Sequence, residues 1–187
     1  MTWVVACIFI YQAVTVLSQR PFSGPCPKHA AQEGFDMGSF LGTWYEIEKT
    51  SLVQDGVRCI KTKYIKTNDG KLTLTTTGIN LLGIEQSSRG EAVLESLDPA
   101  TLLVQYNTII GLPVSTTLKI LDTDYKNYAV VWSCSPVLGP LGHTENLWLL
   151  SRKTSMDPDV RKTLMERLTT LNIDHEGLRT ISHQNCT

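Results

Sequence analysis

From residue 43 to residue 151 the chain runs in short segments rich in β-branched and aromatic residues, separated by turn residues. Strands are expected near 43–52, 58–67, 71–79, 86–95, 101–108, 115–123, 127–134 and 144–151. Asn68-Asp69-Gly70 is the clearest hairpin turn, and Asp98-Pro99-Ala100 and the stretch from Asp124 to Asn127 mark two others. Within the strands the pattern alternates. Leu72, Leu74, Thr76 and Gly78 share one face, with Lys71, Thr73, Thr75 and Thr77 on the other. Val104 and Tyr106 oppose Gln105 and Asn107, and Leu118 and Ile120 oppose Lys119. One face is therefore apolar with a few hydroxyls and the other polar. Eight such strands with short connections predict an antiparallel up-and-down barrel or a sandwich. A filled core and a lined, ligand-holding interior both satisfy the alternation.

After residue 151 the period changes. Asp157 is placed to cap a helix with Pro158 at its first position, and Val160, Leu164, Leu168 and Leu171 then recur at helical spacing. Arg161, Lys162, Glu166 and Arg167 take the opposite face, so the helix is expected to lie against the outside of the sheet. A shorter capped turn is expected at Asp36-Met37-Gly38-Ser39-Phe40. The first stretch, Trp3 to Leu17, carries no charge, and Val16 and Ser18 are spaced as a signal-peptidase site requires. Residues 1–18 are read as a leader and 19–187 as a single domain, which implies a secreted, extracellular protein. The alternative, a signal anchor, needs roughly 20 apolar residues, and this run is shorter.

Composition narrows the function classes. With 17 Lys+Arg against 18 Asp+Glu there is no charge excess to draw nucleic acid. Once Cys7 leaves with the leader, Cys26, Cys59, Cys134 and Cys186 remain, an even number in an oxidising compartment, so two disulfides are expected. Three pairings satisfy that count. Their wide scatter does not suit zinc, which favours close pairs such as C-x-x-C. There is no G-x-S-x-G elbow, P-loop or H-E-x-x-H, so no enzyme activity and no cofactor are expected. His143, between Gly142 and Thr144, is read as a solvated loop histidine, with haem ligation the alternative. The one N-x-[ST] sequence, Asn185-Cys186-Thr187, is expected to stay unused.

Three motifs in order carry a resemblance. Gly42-Thr43-Trp44-Tyr45 resembles the G-x-W opening of a lipocalin barrel, Thr123-Asp124-Tyr125 resembles the family's second motif, and Arg152 at the end of the eighth strand matches the third. The likeness runs from about Cys26 to Cys186 and is closest to the branch of apolipoprotein D and the bilin-binding proteins. It implies an all-β fold, an eight-stranded antiparallel up-and-down β-barrel with one C-terminal α-helix packed outside. It also implies the pairing Cys26–Cys134 and Cys59–Cys186. Each would close a loop of over a hundred residues, for which chain-entropy models give roughly 4–5 kcal/mol. In such a barrel Trp44 plugs the closed end with the Arg152 guanidinium over its indole.

The same parity places Thr144, Asn146 and Trp148 on the inner face of the last strand, and Trp148 aligns with a pocket-lining tryptophan of that branch. With Tyr64, Leu72, Leu74, Thr76, Val104, Tyr106, Leu118, Ile120 and Val131 it would line a pocket for a small hydrophobic ligand with one polar end. Fatty acids, retinoids, steroids and bilins all fit that description. No basic residue is expected deep inside, so a carboxylate would keep its charge near the mouth. Three loops at the open end are apolar, 79–84, 109–114 and 136–141, with Leu82, Ile110 and Leu138 at their centres. Such a rim would dock on a lipid surface or lipoprotein, bind a partner protein, pair two copies as a homodimer, or fold inward as a lid.

Overall fold

The computed structural model describes residues 21–50, 56–95, 98–107, 113–137 and 139–186. The alternating segments form strands β2 (Gly42–Lys49), β3 (Arg58–Lys66), β4 (Leu72–Ile79), β5 (Glu85–Leu94), β6 (Thr101–Asn107), β7 (Pro113–Thr123), β8 (Tyr128–Val137) and β9 (Gly142–Ser151). Each pairs antiparallel with the next, and β2 also pairs with β9, which closes the barrel. Two short strands join its rim, β1 (Pro21–Ser23) on β9 and β10 (Arg179–Thr180) on β2. Neither is long enough for alternation to announce it. Residues 1–18, expected to be a leader, lie outside the described residues. Among those described, no helix is long and apolar enough to cross a membrane.

Two apolar clusters sit on the two faces of the sheet. The inner one contains Trp44, Tyr64, Leu74, Leu102, Val104 and Ile120. The outer one joins Leu121, Val130, Leu147 and Leu149 of the sheet to Leu164 and Leu168 of helix α2 (Pro158–Thr170). The other helix, α1 (Met37–Phe40), is a single turn whose cap Asp36 accepts hydrogen bonds from the Gly38 and Ser39 amides at 3.2 and 2.8 Å. Asp157 caps α2 by accepting from Asp159 N at 2.8 Å. The expected stripe on α2 needs one correction. Leu171 ends the helix half-exposed, and Ile173, just beyond it, is the buried residue that completes the contact. Arg161 and Arg167 fasten the helix to the sheet through Glu48 and Asp122, with N–O distances of 2.5 and 2.7 Å.

Disulfides link Cys26 to Cys134 and Cys59 to Cys186. One pins the segment before α1 against β8, the other pins the C-terminal segment to β3. All four cysteines among the described residues are thus occupied, so no thiol among them is free to act as a nucleophile.

Candidate functional site in the barrel interior

One end of the barrel is closed by aromatic packing. The Phe40 ring lies 5.1 Å from both Trp44 and Tyr64, and Trp44 Nε1 donates to the Phe40 carbonyl at 2.9 Å. Arg152 lays its guanidinium 3.7 Å from the centre of the Trp44 ring. The same group donates to the carbonyls of Tyr125, Thr43, Ser39, Phe40 and Leu41 at 2.9–3.2 Å. Gly42 has φ +100°, and a Cβ there would stand 3.3 Å from Arg152 Nη1, so the position two residues before the tryptophan favours glycine. In the turn after β7, Thr123 Oγ1 donates to Tyr128 O and accepts from Tyr125 N, while Asp124 Oδ1 accepts three successive amides. That turn aims the Tyr125 hydroxyl at the Asp36 amide, 3.0 Å away, and so fastens α1 across the opening. These groups close this end of the barrel.

Above the plug the inner face changes character. Tyr64, Leu72, Leu74, Val104, Leu118, Ile120 and Val131 are buried in the inner cluster, with Tyr106 and Trp148 packed partly buried against it. Thr76 hydrogen-bonds Thr62 across the β3–β4 ladder at 2.8 Å. Asn146 and Thr144 are buried on the inner face of β9, opposite Ser133 and Ser135. The structure therefore brings all of the expected lining residues to one surface. Several others share it that alternation did not single out. Leu102 and Ala92 belong to the lower layers. Gly90 lies beneath Tyr106, whose Cε1 would be 2.8 Å from an added Cβ.

Two charged residues also reach the interior, which corrects the expectation of no basic residue there. Lys49 is 4% exposed and stands opposite Trp148, and Glu46 is 8% exposed and stands opposite Leu150. Glu46 faces in by alternation from Trp44, whereas Lys49 is turned in by a register shift in β2 between Glu46 and Glu48. Strict alternation from Trp44 would turn Glu48 inward and Lys49 out. The extra residue reverses both, so Glu48 points out to Arg161 and Lys49 points in. Burial pushes the Glu46 carboxyl up to about 7 despite the attraction of Lys49. Burial likewise raises the Tyr64 and Tyr106 hydroxyls, with the Glu46 charge adding to both. Three buried polar atoms on this inner face have no hydrogen-bond partner among the described residues, Glu46 Oε2, Thr144 Oγ1 and Asn146 Oδ1.

His143 is not a solvated loop residue. It is 5% exposed on the outer face of β9, covered by Phe22 of β1 at 5.4 Å. Its Nδ1 donates to the Gly24 carbonyl at 2.8 Å and its Nε2 meets Glu145 Oε1 at 3.0 Å, so both ring nitrogens are engaged. Among the described residues no group of three potential ligands is placed to hold a metal. At the open end Leu81 and Leu82 are 83% and 82% exposed and Leu141 is 74% exposed. The loop after β4 therefore projects outward and does not fold in as a lid. Ile110 and Leu138 lie outside the described residues.

Comparison with known proteins agrees with this geometry. The family model described as Lipocalin / cytosolic fatty-acid binding protein family matches residues 41–185. Apolipoprotein D of Bos taurus is 32% identical over 164 residues, covering 87% of this chain and 85% of the relative. Apolipoprotein D of Mus musculus is 33% identical over 173 residues, 92% and 89% of the two chains. Among solved structures, insecticyanin from the tobacco hornworm Manduca sexta superposes with a TM-score of 0.79 over 89% of this chain and 90% of its own. Its identity there is 20%, so that likeness concerns the fold.

Proposed function

The chain belongs to the lipocalin family, and on that premise we propose that it is a secreted carrier that holds one small hydrophobic molecule inside its barrel and catalyses no reaction. The observation that carries the reading is the composition of the inner face above the plug. Bulky side chains close the lower layers, whereas Thr76, Thr116, Ser133 and Asn146 occupy other inner positions. A core meant to be filled by its own side chains places large apolar residues there. An interior that joins apolar area with hydroxyls suits a long or planar hydrophobe that carries polar groups. Tyr64, Leu72, Leu74, Thr76, Val104, Tyr106, Leu118, Ile120, Val131, Asn146 and Trp148 form its contact surface. Two disulfides in so short a chain favour an oxidising, extracellular setting.

The test is a tryptophan-fluorescence titration of the delipidated protein with arachidonate, retinoic acid, progesterone and biliverdin, repeated on Trp148→Phe. Saturable quenching by one ligand class, much reduced in the variant, is the expected result. Absence of saturable quenching by all four removes the carrier reading.

The exposed leucines at the open end favour a second reading, in which the rim docks the protein on a lipid surface or lipoprotein. Leu81, Leu82 and Leu141 present apolar area to water where loops ordinarily carry polar side chains. The two readings are compatible, since a carrier has to receive and release its cargo. Pairing of two copies through the same rim is the competing outcome, and sedimentation of the lipid-free protein separates them.

A further inference from the structure

Glu46 occupies the inner position next above Trp44 on β2, where a carrier needs only apolar area. Its carboxyl is 8% exposed, and its Oε2 has no hydrogen-bond partner among the described residues. The charged and titratable groups that act on it are Lys49 of its own strand, Tyr64 of β3 and Tyr106 of β6. From β9 it is faced by Leu150, with Trp148 beyond, and neither carries charge. On that neighbouring strand Asn146 Oδ1 and Thr144 Oγ1 are buried and unmet in the same way. Thus β2 and β9, which pair to close the barrel, together present three unsatisfied polar oxygens to the interior. Buried oxygens are seldom left without a donor, and three on the inner face of two adjoining strands, Glu46 low on β2 and Asn146 and Thr144 further along β9, point to donors supplied from outside the chain.

We propose that Glu46, where β2 pairs with β9 to close the barrel, is the polar contact of the bound molecule and accepts its O–H or N–H group, so that the protein selects hydrophobic alcohols, amines or pyrroles over hydrophobic carboxylates. The inference rests on the carrier reading and narrows its ligand class. A carboxylate brings acceptors to acceptors, and beside an ionised Glu46 it also brings like charge into a low-dielectric interior. The attraction of Lys49 is already exerted on Glu46. Because the Glu46 carboxyl is raised to about 7, a carboxylate is admitted more readily below that pH, when Glu46 takes up a proton. A hydroxyl ligand needs no such uptake.

Retinol and retinoic acid share one carbon skeleton and differ at the terminus, which makes them the probes. Both are titrated into the delipidated full-length protein at pH 6 and pH 8, with Glu46→Gln and Glu46→Leu alongside. The native protein is expected to bind retinol about tenfold more tightly than retinoic acid at pH 8, with the gap narrowing at pH 6. Glu46→Gln keeps an acceptor and no charge, so retinol binding persists and the pH-dependent rejection of retinoic acid disappears. Glu46→Leu weakens retinol by about tenfold and leaves retinoic acid unchanged or tighter. Near-UV circular dichroism checks that each variant retains native packing, and Glu46→Gln carries the test should Glu46→Leu fail it. Equal binding of both probes by the native protein overturns the inference and leaves the carrier intact. Discrimination that survives in a natively packed variant overturns it too. Saturable binding of neither probe overturns the inference, and failure of arachidonate, progesterone and biliverdin as well overturns the carrier reading with it.

Discussion

Lys49 stands opposite Trp148 across the seam that closes the barrel, a buried cation facing the tryptophan expected to touch the ligand. The relationship depends on the irregularity between Glu46 and Glu48. Inserting one residue into a strand turns every side chain beyond it over. Here that one residue sends Glu48 out to anchor α2 through Arg161 and brings Lys49 in beside Glu46, so a single bulge both fastens the helix and gives the interior its cation.

The buried Glu46 makes stability depend on pH in a direction opposite to an ordinary ion-paired carboxylate. Its carboxyl moves from the usual 4.5 to about 7 on folding, so the folded state holds its proton more tightly than the unfolded state. Its contribution is most favourable below about 4.5 and is lost as pH rises towards 7. The raised value corresponds to about 3 kcal/mol across that window. Glu46→Gln is expected to lack this loss. Urea unfolding from pH 5 to pH 8 should show the variant gaining on the native protein as pH increases. A constant difference across the range would mean that the carboxyl does not titrate in the interior.

Arg152 stitches together groups far apart in sequence, with five carbonyls and one indole around a single guanidinium. Arg152→Ala leaves those carbonyls without their donor and removes the cation over Trp44. A loss of about 3–5 kcal/mol is expected in urea unfolding. Arg152→Lys should recover less than half of it, because an ammonium cannot reproduce the planar fork that reaches α1, β2 and the turn after β7 together. Full recovery by lysine would show that charge alone matters there.

The strands, the outer helix and the lining were legible because each rests on a local period. Leu72, Leu74 and Thr76 announce their shared face by alternation, and Asp157-Pro158 announces the start of α2. What escaped the sequence was set by contacts distant along the chain. His143 looks like a loop residue until β1 comes back to cover it and supplies the Gly24 carbonyl. Ile173 replaces Leu171 because the chain leaves the helix at that point and turns back onto the sheet. The bulge that buries Lys49 breaks the alternation from Trp44, which puts Glu46 and Glu48 on the inner face and Lys49 on the outer. The short side chains of β5 conceal its inner face in the same way. Gly90 and Ala92 carry too little apolar mass to reveal a pattern.

The rim makes a prediction about lipid surfaces. Leu81→Glu, Leu82→Glu and Leu141→Glu together replace highly exposed apolar area, so the fold should lose little stability. Association with phosphatidylcholine vesicles, measured by flotation, should fall at least about tenfold while retinol affinity is kept. Unchanged flotation would assign the rim to some other contact, and a change in sedimentation would assign it to pairing of two copies.

Gly90 and Tyr106 test whether the lining is tuned for space. A Cβ on Gly90 would stand 2.8 Å from Tyr106 Cε1 and 2.8 Å from Val104 Cγ1. Val104 is wholly buried, so the tyrosine ring, which is only partly buried, is the group that moves. Gly90→Ala is expected to cost about 1–3 kcal/mol and to push the ring into the volume where a ligand would lie, weakening ligand affinity. Tyr106→Leu in the same background removes the obstruction and should restore part of both losses, a coupling that the two single variants do not predict by addition. Gly90→Ala with native stability and native affinity would show that the wall beneath Tyr106 has slack, and that the glycine serves the bend of the strand alone.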